Sequence, residues 1–141
     1  MQDKKDQMDV LGLIMARGGS KGIKRKNLRT VAGKTLLEHS IQHAKDSELI
    51  NRVIVSTEDV EIADEAIRCG AEVPFLRPNE LAEDHVLDMP VFEHTLKNLE
   101  LNEGYVPEII AQLRPTAPYR KIMWIDDCIK MLIENPEADS V

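Results

Sequence analysis

The sequence is short of the features that mark most specialised protein classes. Its two cysteines, Cys69 and Cys128, stand far apart in segments read as helices, outside any CxxC or metal-spaced cluster. They read as plain buried or half-buried thiols. No apolar run approaches the roughly 20 residues that cross a bilayer. The polar, mixed-charge stretch Met1–Asp9 lacks the apolar core of a secretory signal, so a cytoplasmic protein with no membrane partner is expected. Basic charge is scarce as well. A formal net charge of −7 over 141 residues argues against a nucleic-acid partner, which wants a basic face. Repeats, low complexity and a clear linker are all missing, and the length suits one domain, 1–141, with a real core and a polar tail over 1–9. His39, His43, His85 and His94 form no metal grouping, and the i,i+4 pair His39/His43 lacks a third ligand for zinc. No Ser/His/Asp set is inferable.

What is present is a strand–helix alternation. Val10–Ala16 is a continuous apolar run, the pattern of a strand buried on both faces. Arg17–Lys34 reads as loop. Leu36, Leu37, Ser40, Ile41 and Ala44 keep helical spacing over Thr35–Asp46. Arg52–Ser56 is a β-branched strand. Ser56, Thr57 and Asp59 offer N-caps for a helix through Cys69, which Gly70 stops. Glu72–Leu76 reads as a short strand whose Pro74 suits an edge or a strand end. After a polar loop over 77–88, Asp88 is placed to cap a helix to about Leu101, with Pro90 in its first turn. Glu108–Leu113 is a further strand and Arg114–Arg120 a proline-punctuated loop. A last amphipathic helix carries Ile125, Cys128, Ile129, Leu132 and Ile133, with Asp126 and Asp127 in its first turn in a capping and dipole role. Ala138–Val141 looks like the entrance to another strand. This alternation predicts an α/β fold with a largely parallel sheet. Ligands of such sheets bind beyond the carboxyl ends of strands, which puts loops 17–29 and 114–120 on the same edge.

The main chemical feature is the run ARGGSKGIKRKN from Ala16 to Asn27. Arg17, Lys21, Lys24, Arg25, Lys26 and Arg29 fall between positions 17 and 29 with no acid, while the rest of the chain has roughly two acids for every base. Such an island is either a solvated surface loop or the seat of a small polyanion. Gly18, Gly19 and Gly22 let the backbone approach a ligand with its N–H groups turned inward. Arg17 can grip phosphate through two parallel N–H bonds, Lys21 and Lys26 act as point charges, and Ser20 adds a hydroxyl donor. There is no G-x-x-x-x-G-K-[ST] and no G-x-G-x-x-G after the first strand, so the Walker loop and the dinucleotide fingerprint are excluded.

The run resembles the signature loop of the acylneuraminate cytidylyltransferases, the CMP-sialic acid synthetases and their relatives. The likeness continues through Gly33–Leu37, Val53–Asp59, Gly70–Pro78, Leu113–Arg120 and Ala138–Val141, in the family's order and spacing. It implies a three-layer, Rossmann-like fold of the nucleotide-diphospho-sugar transferase type, incomplete at the C-terminus. It also implies transfer of CMP from CTP to the anomeric hydroxyl of an acidic nine-carbon sugar, with Mg²⁺ as cofactor and pyrophosphate released.

By that resemblance Arg17, Ser20, Lys21 and Lys26 face the triphosphate on the loop Ala16, Gly18 and Gly19 help to form. Lys26 and Arg17 are the catalytic cations, with Lys26 at the α-phosphate. Asn27 and Arg77 hold the nucleotide, Asp88 matches a base-contacting position, and Arg114, Thr116, Pro118 and Arg120 belong to the sugar side. Three positions depart from the family's pattern. Lys24 replaces a proline, Arg114 stands where glutamine is common, and Ala117 replaces a serine, which leaves the acceptor sugar open. Family enzymes continue past this length. Their later segment carries the metal-binding aspartates, much of the sugar pocket and the part that forms the usual homodimer, so a truncated nucleotide-binding module without catalysis is one alternative. A relative that uses GTP or another acceptor is the other.

Overall fold

The computed structural model describes residues 7–141, so most of the expected polar tail, positions 1–6, lies outside the described residues. Strand β1 (Val10–Met15) is the centre of a three-stranded sheet. It lies between β4 (Arg52–Ser56) and β5 (Ile109–Gln112), parallel to both. Leu11 pairs with Arg52 on one side and with Ile110 on the other. Alternation along β1 splits its side chains between two cores. Val10 and Ile14 pack with Leu37, Ile41, Ile62 and Ile129, from helices α1 (Leu36–Asp46), α2 (Val60–Arg68) and α4 (Ile122–Glu134). Leu11 and Leu13 pack with Ile54 and Leu99, under helix α3 (Asp88–Glu103). Helices on both faces of a parallel sheet make the three-layer α/β arrangement expected.

Local chemistry sets the helix ends. Thr35 caps α1 by accepting from the Glu38 N–H at 3.0 Å, and Asp59 caps α2 by accepting from the Ile62 N–H at 3.0 Å. Thr57, another candidate cap, instead accepts from the Asp59 N–H at 3.1 Å.

Several expectations are corrected. The loop read over 17–34 contains a small antiparallel ribbon, β2 (Thr30–Val31) with β3 (Lys34–Thr35). Its turn places Ala32 and Gly33 at φ 50° and 79°, and two-residue strands are too short to show a period. The strand expected over 72–76 reduces to one parallel bridge between Glu72 and Ile54, because Pro74 has no N–H to continue the ladder. Asp88 is the first residue of α3 rather than its cap, which is Leu87. Helix α4 starts at Ile122, so Asp126 lies beyond the first turn. Asp126 is buried and ties α4 to the end of α1. It accepts from Ser47 Oγ at 2.5 Å and from the Glu48 N–H at 3.1 Å. Cys69 is half-buried, its thiol pushed up to about 11 by burial, but Cys128 is exposed on α4. Residues 138–141 form no strand.

Candidate nucleotide-binding cleft

The carboxyl ends of β1 and β5 open into one cleft of about 240 Å³. Arg17, Gly19, Ser20, Lys26 and Asn27 line one wall, Arg77 and Asp88 sit along the segment opposite, and Arg114 and Thr116 come from the loop after β5. Nine residues singled out on sequence grounds, far apart in the chain, therefore meet in one place. The others are placed differently. Ala16 is fully buried beneath the loop, its N–H donating to Ser56 O at 3.0 Å. Gly18 lies behind the wall. Lys21 stands at the mouth, beside Asp84.

Pro118 and Arg120 do not line this cleft. Arg120 turns under its own loop and donates to Ser40 Oγ and His43 Nδ1, both at 3.2 Å, and to Arg114 O. Ser40 Oγ donates to the same Arg114 carbonyl at 3.3 Å. The residue expected on the sugar side is thus, in this structure, an anchor that holds the loop 114–120 on α1. His43 accepts from Arg120 only while neutral, and burial followed by the Arg120 charge holds its pKa below the usual 6.5. His39 Nε2 lies 2.7 Å from Val31 O.

The cations of the cleft differ in their surroundings. Arg77 is only 6% exposed, donating to Ser56 O at 2.9 Å and Leu81 O at 3.2 Å. Burial pulls its pKa down. Arg17 pairs with Asp84 at 2.5 Å, and Lys21 approaches the same carboxylate at 3.5 Å. Arg17 holds the Asp84 pKa below the usual carboxylate value. Lys26 forms no ion pair among the described residues and is half-buried in the wall, so its charge is free to meet a ligand. Asn27 is buried and donates to Arg17 O at 3.0 Å, closing the loop upon itself. Asp88 is paired with Arg114 and also accepts from Gln112 Nε2 at 3.2 Å. The position matched to the base and the position matched to the acceptor thus neutralise each other across the cleft.

Sequence reasoning missed five contributors to this site. Gln112 closes a strand and Asp84 sits in a polar loop, and neither pattern marks them as site residues. Glu58 and Asp59 lie within the Val53–Asp59 match, but nothing in their spacing says that they hold the basic loop. Asp59 and Glu61 both grip Arg25, Asp59 at 2.5 Å.

The fit of a divalent cation can be judged from the carboxylates. Asp84 is held by Arg17 and Lys21, and Asp88 by Arg114. Among the described residues the one cluster with metal-like spacing, Glu38, Glu65 and Cys69, lies between α1 and α2. It is already bridged by Arg68, 2.8 Å from Glu65 and 3.1 Å from Glu38. These residues do not present Mg²⁺ with a ready ligand set.

A parallel sheet between helices, with a cationic cleft beyond its carboxyl edge, defines a Rossmann-like α/β domain. The chain belongs to the cytidylyltransferase family, whose model matches residues 11–141. It is 35% identical over 128 residues to a pseudaminic acid cytidylyltransferase of Campylobacter jejuni, covering 91% of this chain and 55% of that protein. It is 37% identical over 114 residues to a CMP-N,N'-diacetyllegionaminic acid synthase of Legionella pneumophila, covering 81% and 49%. An N-acylneuraminate cytidylyltransferase of Escherichia coli is 34% identical over 122 residues, covering 86% and 28%. The chain spans about half the length, or less, of these relatives. In fold it is similar to a CMP:2-keto-3-deoxy-manno-octonic acid synthetase complexed with CTP. That likeness has a TM-score of 0.73 at 19% identity and covers 91% of this chain and 48% of that one. No helix among the described residues is long and apolar enough to cross a membrane.

Proposed function

We propose that this chain is the nucleotide-binding part of a cytidylyltransferase that moves CMP from CTP to an acidic nine-carbon sugar in the cytoplasm, releasing pyrophosphate. The observation that carries the reading is the convergence of Arg17, Lys26 and Arg77 on one cleft in a chain matched to this family. Attack on the α-phosphorus builds negative charge on the equatorial and leaving oxygens, and fixed cations oppose it. Lys26, free of ion pairs, meets the α-phosphate. Arg17 exchanges Asp84 for phosphate oxygens, and Arg77 supports the nucleotide from below. Arg114, set by Asp88, and Thr116 face the acceptor. Mg²⁺ is the expected cofactor of this chemistry, and no step here is routed through it.

Calorimetric titration of CTP and of GTP, repeated on Lys26→Ala, tests the reading. CTP is expected to bind more tightly than GTP, and the variant to lose about tenfold or more in affinity for CTP, as for loss of a charge-assisted contact. A wild-type chain that binds no CTP would sink it. The span of about half the relatives' length favours a second reading, a binding module that needs further residues for turnover. CMP-sugar formation by the 141-residue chain alone would reject that second reading.

A further inference from the structure

We propose that Glu58 is a positioning residue for the anion-binding loop, clamping the peptide plane between Arg17 and Gly18 from behind the cleft. The inference rests on the nucleotide reading for its consequence, though not for its geometry. Glu58 follows β4 and Thr57, and its Oε1 accepts the Gly18 N–H at 2.6 Å. The carbonyl at the other end of that peptide unit, Arg17 O, accepts from Asn27 Nδ2 at 3.0 Å. A trans peptide is planar, so gripping its N–H and its C=O leaves it no rotation. The torsions on either side, which aim Arg17 and Gly19 into the cleft, are then set by two side chains that lie 31 positions apart in the chain.

Three further observations agree. Neither Gly18 nor Glu58 lines the cleft, so the carboxylate acts from behind and does not compete with a bound anion. Among the described residues Glu58 Oε2 is buried without a partner, and so is Arg77 Nε, and the Glu58 charge favours the charged form of that arginine. Finally, a Cβ on Gly18 would stand 2.5 Å from Asp59 Oδ2, so the neighbouring residue closes the other side of the same glycine.

The test uses the 141-residue chain with Glu58→Ala and Glu58→Gln. The glutamine keeps an acceptor for the Gly18 N–H and the alanine does not. Binding of CTP and of inorganic tripolyphosphate is read by calorimetry, Gly18 amide exchange by NMR on the unliganded proteins, and folding by thermal unfolding. Glu58→Ala is expected to weaken both ligands about tenfold and to speed Gly18 exchange by a similar factor, as for a lost charge-assisted hydrogen bond. Glu58→Gln is expected to recover most of both effects. Equal binding by wild type and Glu58→Ala would overturn the proposal. So would equal losses in both variants that track a fall in unfolding temperature, since that is what a merely structural role predicts. A wild-type chain that binds no CTP would remove the nucleotide reading alone. The amide comparison would still decide the clamp, and unchanged Gly18 exchange in Glu58→Ala would reject it.

Discussion

The wall of the cleft formed by residues 17–29 is tied to the centre of the sheet, whereas the wall formed by residues 112–120 hangs from a strand with one neighbour. The first follows β1, which is flanked on both sides. Glu58 holds it at Gly18, Asp59 and Glu61 at Arg25, and Asn27 closes it onto Arg17. The second follows β5, which pairs only with β1 among the described residues. It is kept in place by Arg120 on α1 and by the exposed pair of Arg114 with Asp88. Exposed ion pairs are worth little, so the second wall is the looser one. The difference leaves the wall at 17–29 as a fixed cradle and the wall at 112–120 as an adjustable one.

Substitutions that strike one wall and spare the other test that contrast. Gly18→Ala is expected to have the largest effect. The new methyl group meets Asp59, which cannot retreat without releasing the α2 cap and Arg25. A stability loss of about 3 kcal/mol, the upper range for an overpacked site, should accompany at least a tenfold loss of CTP affinity. Thermal unfolding and calorimetry read the two. Unchanged CTP affinity would show that the wall at 17–29 is not fixed in the way described.

Asp126→Ala comes next and should separate stability from binding. It removes the acceptor for Ser47 Oγ and the Glu48 N–H, between α4 and the end of α1. The expected cost is about 2 kcal/mol, from buried donors left without a partner. Denaturant unfolding should show it while the CTP titration stays at the wild-type value. Arg120→Ala is milder, at about 1 kcal/mol. Its signature should be faster amide exchange confined to residues 114–120, again with CTP affinity unchanged. Weaker CTP binding in that variant would mean that the two walls are coupled.

The same contrast explains what could be read in the sequence. The strand at Val10–Met15 was legible because its apolar run is unbroken, and the helices with clean spacing because their burial is periodic. The basic loop was legible because its chemistry is contiguous in the chain. The role of Arg120 was not, since it depends on Ser40 and His43, some 80 residues away. Glu58 and Asp126 were missed for the same reason. Each satisfies backbone N–H groups on a distant segment, and an acid in a sequence does not reveal which amides it will meet. The ribbon at 30–35 escaped because two residues per strand carry no alternation.

The smallest expected effect is on the pH dependence of the second wall. His43 is held neutral by burial and by Arg120, with further influence from His39, Asp46 and Lys34, so its folded pKa lies below the ordinary 6.5. Between 6.5 and that lower value the unfolded chain binds more protons than the folded one, and stability therefore rises with pH across the window. Acidification from neutral should weaken the anchoring of loop 114–120 as soon as unfolded His43 begins to protonate, and should cost nothing further once folded His43 has titrated. His94, lowered by burial and Arg77, contributes in the same direction. The carboxylates of Asp59, Glu65 and Asp84 are depressed by their arginine partners, and their contribution is lost only at more acid pH. His43→Asn keeps an oxygen acceptor for Arg120 but cannot take up a proton. The slope of unfolding free energy against pH should therefore be shallower in the variant than in the wild type just below 6.5, and the two should run parallel above it. Coincident slopes throughout would mean that the His43 contact with Arg120 contributes nothing to how the wall at 112–120 is held.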